Sequence, residues 1–167
     1  MAVFLFPSTM KYARLSQEQF EEMHEEFAQF LAVQEITKDD WDKIKESNSD
    51  QVDIQLDAFS HLVWEKVLEK VKFLELIFPN HMYLFKIDTS LHLIGLKVNQ
   101  SLVDITTPEG YSWLKENLMN DAVELFQSTK ELSNNFKADL FKLIQQGASI
   151  TSGELYGYFE DLISLKS

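Results

Sequence analysis

The amino-acid sequence predicts a mainly helical α+β fold, with about six helices and a small antiparallel sheet of two or three strands in the middle of the chain. Three observations predict it. Apolar residues recur at helical spacing up to residue 74, and beyond Pro79-Asn80 their period falls from 3.6 to about 2. Helical spacing then returns after Thr107 and continues through the last segment of the chain.

Composition favours one packed domain over residues 1–167. Hydrophobic residues make up 45% of the chain and aromatic residues 13%, which is typical of a protein with a well-filled core. Five glycines and three prolines leave little material for a linker, so we expect no internal domain boundary.

Charge narrows the classes of partner. The chain carries 27 acidic and 15 basic residues, a net charge of −12. Nucleic-acid binding needs a basic stripe that displaces counterions, and an anionic membrane surface is disfavoured for the same reason. A basic protein partner fits this charge better.

The sequence also indicates a soluble, cytoplasmic protein. The opening apolar run, Ala2 to Phe6, is too short for a signal-peptide core and has no basic leader. No stretch approaches the roughly 20 apolar residues of a membrane span. The chain has no cysteine, so disulfides and thiolate chemistry are excluded.

Residues 16–34 are predicted to form the first helix. Ser16 and Gln19 have the spacing of a capping box. One side of this helix is apolar, and no Lys or Arg lies between Ser16 and Gln34. The opposite side, which we name the acidic face, consists of Glu18, Glu21, Glu22, Glu25 and Glu26.

Thr37 opens a second predicted helix, with Asp40 at the capping-box distance, and SNSD (47–50) ends it. A central helix follows from about Gln51 to Leu74. At 100° per residue its apolar sector covers nearly half the circumference, with Val67 near the middle. A sector this wide predicts that the helix is covered on more than one side.

The period of two predicts a hairpin in the next segment. Its strands are Tyr83–Ile87 and residues 91–98, with Thr89-Ser90 at the turn. Residues 101–105 are a candidate third strand, and residues 122–126 are compatible with either a strand or a helical turn.

Helical signals mark the remaining chain. Thr107 with Pro108 predicts an N-cap followed by proline at the first helical position. A helix carrying Leu132 to Ile144 is expected to end at Gly147. Thr151 or Ser152 is expected to cap the last helix.

Motifs for catalysis are weak. Glu21-x-x-His24 has the spacing of one half of a di-iron site, but no second Glu-x-x-His occurs, so we predict no metal. His24, His61, His81 and His92 match no familiar zinc spacing. GASITSG (147–153) lacks the lysine of a phosphate loop, and no nucleophile elbow is present.

Five segments carry a resemblance to a known family: KYARLSQEQFEEMHEEFAQFLAVQEI (11–36), WDKIK (41–45), FSHLVWEKVL (59–68), DITTPEGYSWLKENL (104–118) and GASITSGELY (147–156). Through them the chain resembles, over about residues 10–165, a family of small acidic bacterial proteins known as a domain of unknown function. The first segment is fairly specific. Family members start close to Met10, which makes residues 1–9 an extension, and Pro108 stands where the family has an acidic residue. The resemblance implies no activity and no functional residues.

For function, the sequence favours a non-enzymatic protein-interaction module that binds a basic protein through the acidic face, with no cofactor. Two alternatives stay open. One is an enzyme whose site combines His24, His61 and neighbouring carboxylates. The other is an acidic immunity or inhibitor protein that binds a basic toxin or nuclease.

Overall fold

The computed structural model describes residues 12–166 of the chain. These residues divide after Glu69 into two compact units, a helical unit and a sheet unit. Compactness does not by itself establish independent folding, so the single domain stays a prediction. The expected extension, residues 1–9, lies outside the described residues.

The helical unit contains the four helices of the N-terminal half. The two predicted capping boxes are confirmed. The Ser16 hydroxyl accepts from the Gln19 backbone N–H at 3.1 Å, and the Thr37 hydroxyl accepts from that of Asp40 at 3.1 Å. The helices are α1 (Gln17–Glu22), α2 (His24–Val33), α3 (Lys38–Ser47) and α4 (Ser49–Lys70).

The first predicted helix is in fact two, because the backbone leaves helical geometry at Met23 (φ −107°, ψ 27°). Glu21 and Glu25 would lie four residues apart on either side of this break, as would Glu22 and Glu26. Like charges at that spacing destabilise a continuous helix, which gives a physical reason for the interruption.

The central helix also differs from the prediction. It ends at Lys70, so Val71 and Leu74 do not belong to its apolar sector. Phe59 and Leu68 are buried, but Val67 is 38% exposed, and the expectation of a buried Val67 is wrong. The apolar sector of α4 is therefore only partly covered.

The sheet unit is built on an antiparallel sheet with the order β4-β3-β2-β1-β5. Residues 12–166 thus contain five strands, more than the two or three predicted, and seven helices. The predicted hairpin is confirmed as β2 and β3, in a register that pairs Tyr83 with Gly95. The strands are β1 (Phe73–Ile77), β2 (His81–Ile87), β3 (Ser90–Val98), β4 (Val123–Glu131) and β5 (Ser149–Ile150).

Three of these strands were not expected as such. Phe73–Ile77 continues the predicted helix in sequence, yet its burial alternates, with Leu74 and Leu76 buried, and it pairs with β2. Residues 123–126 of the ambiguous segment belong to β4, which pairs with β3 in the place expected for residues 101–105; residues 101–105 form no strand. Ser149–Ile150 pairs with β1.

The helices of the sheet unit are α5 (Pro108–Glu116), α6 (Phe136–Gln145) and α7 (Glu154–Lys166). Thr107 caps α5 as predicted, because its hydroxyl accepts from the Gly110 N–H at 3.0 Å. Gly147 follows α6 with a φ of +111°, the left-handed conformation expected for the residue after a helix. Leu132 lies before α6 rather than in it.

Helix α7 covers the sheet through β2 and β3. Phe159 and Tyr156 from this helix join Met82, Leu84 and Ile94 in the core. The alternation of the strands buries one set of side chains under the helix, which is why the period-two pattern was readable in the sequence.

Candidate functional site

All five side chains of the acidic face are exposed. Glu18, Glu21 and Glu22 lie on α1, while Glu25 and Glu26 occupy the first turn of α2. The predicted single arc of one helix is therefore wrong, since the break at Met23 separates the two groups. Glu25 and Glu26 gain from this break, because carboxylates are stabilised near a helix N-terminus.

Acidic charge is concentrated in the helical unit. Residues 12–69 contain 15 acidic and 5 basic residues, a net charge of −10. Arg14 is already engaged within the unit, where its Nε donates to Asp57 at 2.6 Å and its Nη1 to Asp53 at 3.1 Å. The hydrogen bond with Asp57 is the main cause that raises the pKa of Arg14 above its usual value.

A groove of about 1200 Å³ lies between α2 and α4. We name it the α2–α4 groove. Four of its apolar side chains are well exposed: Val33 (86%), Ile54 (40%), Leu62 (39%) and Val67 (38%). Together with Met23 and Phe30 they form an apolar surface. Large exposed apolar surfaces are characteristic of binding sites.

The walls of the groove run antiparallel. Gln34, at the end of α2, bonds to Gln55 near the start of α4, whereas Phe30, one turn earlier, contacts Phe59 one turn later at 5.4 Å between ring centroids. The Met23 end of α2 is therefore opposite the Val67 end of α4.

Aromatic packing supports the floor of the groove. Phe59 is 3% exposed and meets Phe27 edge to face at 5.1 Å. Phe27 also meets Trp41 of α3 edge to face at 5.4 Å. Such pairs stabilise a fold by about 0.5–1.5 kcal/mol each, beyond the stabilisation that comes from the apolar area they bury. These contacts therefore stabilise the floor of the groove.

Polar groups in the groove are few. Gln55 is buried in the floor, and its side-chain oxygen accepts from Gln34 at 2.9 Å. Charged side chains line only one end, where Glu26 belongs to α2 and Lys66 to α4. This groove was not predicted from the sequence. Its signal was the wide apolar sector of α4, which was expected to be covered by other elements.

The histidines of the candidate enzyme site have local partners. His24 Nδ1 lies 3.0 Å from the Glu21 carbonyl oxygen, beside the helix break. His61 Nε2 lies 3.6 Å from a Glu65 carboxylate oxygen, and its ring contacts Tyr12. Both side chains thus have contacts within the helical unit.

In the sheet unit, His81 Nδ1 lies 2.7 Å from Asn80 Oδ1, and its ring stacks on Phe78. His92 lies between Asp88 and Thr129, at 2.9 and 3.1 Å. These contacts fix the hairpin turn and the pairing with β4. Within residues 12–166, no three His, Cys, Asp or Glu side chains are grouped so as to hold a metal ion.

Tyr12 ties the start of the described chain to α4. Its hydroxyl donates to Glu65 Oε1 at 3.0 Å, and the residue is 4% exposed. Burial, followed by the bond to this carboxylate, raises the pKa of Tyr12 to about 12. The Trp64 indole N–H donates to the Ala13 carbonyl at 3.1 Å in the same region. Both contacts involve parts of α4 outside the groove lining.

Comparisons with known proteins give one match. No curated protein and no solved structure matches the chain. Across the part of the chain that the structure describes, no helix is both long and apolar enough to span a membrane. A family model matches residues 10–164, which cover most of both units. The chain therefore belongs to the family of unknown function DUF6495.

Proposed function

We propose that this protein is a non-enzymatic interaction module that binds a basic partner protein through the acidic face of α1 and α2. The observation that carries the proposal is that all five glutamates are exposed on a unit of net charge −10. An immunity or inhibitor protein that neutralises a basic nuclease or toxin is one form that such a module takes.

The energetics of such a contact follow from its exposure. Separated, solvated charges act mainly on the rate of association and are screened by salt. The acidic face repels itself when free, and a basic surface relieves that repulsion. The complex should therefore form quickly at low salt and weaken as salt rises.

The setting that we propose is a bacterial cytoplasm. The resemblance to small acidic bacterial proteins supports a bacterial source. A chain without cysteine is compatible with a reducing compartment such as the cytoplasm.

The test is the replacement of Glu18, Glu22, Glu25 and Glu26 together by glutamine. Wild type and variant are compared in pull-downs at low and high salt. Loss of the captured partner at low salt, with stability unchanged or improved, supports the proposal.

A matched control changes the net charge equally on the sheet unit, where four other exposed glutamates are replaced by glutamine. This control should keep the partner. If the variant of the acidic face keeps every partner at both salt concentrations, the glutamates only confer solubility. The control residues are Glu109, Glu116, Glu131 and Glu154.

A further inference from the structure

The α2–α4 groove adds an apolar surface to the charge of the acidic face. We propose that this groove binds an amphipathic α-helix of the partner protein, with the apolar side of that helix in the groove and its basic residues beside Glu25 and Glu26. This inference rests on the proposed function, because it names the segment of the basic partner that the helical unit recognises.

The dimensions of the groove suit a helix. Gln51 and Val67 both line it, and 16 helical steps of 1.5 Å place about 24 Å of α4 along one wall. That length corresponds to four or more turns of a bound helix. The volume of 1200 Å³ exceeds the roughly 300–1000 Å³ of a small-molecule pocket.

The exposed side chains are spaced to receive apolar side chains from a helix. On α4, Ile54, Ala58 and Leu62 follow at intervals of four residues and form one ridge beside the groove. Val33 projects from the other wall and is 86% exposed. Ridges at this spacing pack against those of another helix, which makes a third helix the natural cover for α2 and α4.

The walls also disfavour an extended peptide. Both are α-helices, whose backbone N–H and C=O groups are bonded within the helix and present no free sheet edge. An extended chain that entered this apolar surface would lose hydration at its own backbone without gaining partners. A helix satisfies its backbone internally and pays no such penalty.

Charge identifies which helix fits. Glu26 lines the groove, and Glu25, one residue earlier and 100° around α2, is exposed outside the lining. Lys66 stands on the opposite wall at the same end. A bound helix should therefore carry its Lys or Arg residues on the flank that faces α2 and none facing Lys66.

The same charge disfavours a second copy of this chain as the occupant. Two helical units of charge −10 each would meet with their acidic residues in proximity, and the repulsion would oppose burial of the two grooves. The occupant to which the observations point is thus a foreign, basic helix.

The probe is a fluorescein-labelled amphipathic peptide of about 18 residues, which spans about 27 Å as a helix. It carries leucines along one side and lysines on one flank. A second peptide replaces the lysines by glutamates, and a third scrambles the leucine spacing. Fluorescence anisotropy with the full chain should show saturable binding of the lysine peptide, at least about tenfold tighter than that of either other peptide.

The decisive protein variant is Val33→Gln with Leu62→Gln, because both side chains are exposed, Val33 at 86% and Leu62 at 39%. This double substitution should weaken the binding of the lysine peptide at least about tenfold. The matched control, Leu102→Gln with Leu165→Gln, removes two exposed leucines of the sheet unit and should bind like wild type. Unchanged circular dichroism of both variants shows that they fold.

Each remaining outcome distinguishes the role of the groove in binding from that of the acidic face. If the groove variant binds the lysine peptide as wild type does, the groove proposal is overturned, while loss of binding on replacement of the glutamates would leave the proposed function intact. If the glutamate peptide binds equally well, the charge argument is overturned. A dimer that forms in sedimentation equilibrium and is lost in the groove variant would also overturn the proposal of a foreign helix, since the occupant would be a second copy of this chain.

Discussion

The side-chain amide of Gln34 donates to the side-chain oxygen of Gln55 across the floor of the α2–α4 groove, at 2.9 Å. Gln55 is 5% exposed, so its amide has lost most of its contact with water. Gln34 also donates to the Phe30 carbonyl oxygen at 3.2 Å. This pair is the polar connection that sets the separation of the two groove walls.

Gln34→Ala should lower the free energy of unfolding by about 1–3 kcal/mol, because it leaves a buried acceptor without its donor. Chemical denaturation followed by circular dichroism measures this. Gln29→Ala, on the exposed part of the same wall, is the control and should change the free energy by less than about 0.5 kcal/mol. Equal effects of the two substitutions would show that the bond to Gln55 contributes nothing.

Two neighbouring positions of α4 should lose very different amounts of stability when a charge is introduced. Val67 is 38% exposed and Leu68 is fully buried. Val67→Asp should cost less than about 1 kcal/mol, whereas Leu68→Asp places a carboxyl group in an apolar environment and should cost several kcal/mol or prevent folding. Thermal denaturation compares them. Unfolding of the Val67 variant would contradict the exposure of this position.

Tyr12 should make the helical unit sensitive to alkaline pH. Its pKa is raised from about 10 to about 12 in the folded chain, so the folded state holds this proton more tightly than the unfolded state. The resulting stability is complete below pH 10 and is lost as the pH rises through 12. Absorbance titration at the phenolate band should show that Tyr12→Phe lacks one late-titrating tyrosine of the wild type, while Tyr156, whose pKa burial also raises, titrates late in both proteins.

Tyr12→Phe also removes the bond to Glu65, and it should lower the free energy of unfolding at pH 7 by about 1.5–3 kcal/mol, the range for a hydrogen bond to a charged group. In this variant the loss of stability between pH 10 and 12 should be smaller. An identical alkaline profile for the two proteins would exclude Tyr12 as its source.

Gly110 should tolerate no side chain. A Cβ at this position would lie 1.7 Å from the Asp104 carbonyl oxygen, and backbone cannot swing away as a flexible side chain can. Gly110→Ala should therefore cost at least about 3 kcal/mol, beyond the ordinary range of single substitutions. Gly157→Ala is the control, since nothing lies within 4 Å of its added Cβ. A stable Gly110 variant would contradict the close approach of α5 to the 104–105 turn.

Local signals explain what could be predicted from the sequence. The capping boxes at Ser16 and Thr37 and the N-cap at Thr107 each depend on residues within one turn, so their pattern determines the structure directly. The hairpin of β2 and β3 was predictable for a similar reason, because one buried face imposes a period of two.

Tertiary pairing explains the failures. Val71 and Leu74 match the helical period of α4, but pairing with β2 and β5 makes a strand of Phe73–Ile77. The two-residue strand Ser149–Ile150 exists only through its pairing with β1, which no local pattern reveals.

The candidate site was half predictable. Exposure of the acidic face followed from the opposition of glutamates to Phe20, Phe27 and Leu31. The break at Met23 was missed, because the apolar spacing of residues 16–34 continues across it. The groove was missed because a wide apolar sector is compatible with either a covered helix or an open binding surface, and only the exposed fractions of Leu62 and Val67 distinguish them.

The most direct test of the account is a map of backbone amide chemical shifts in isotope-labelled full chain during titration with the unlabelled lysine peptide. If the α2–α4 groove binds a basic helix, the shifts should concentrate on α2 and α4, at Glu26, Val33, Ile54 and Leu62, and added salt should reverse them. Shifts confined to the sheet unit, or spread evenly over both units, would contradict it.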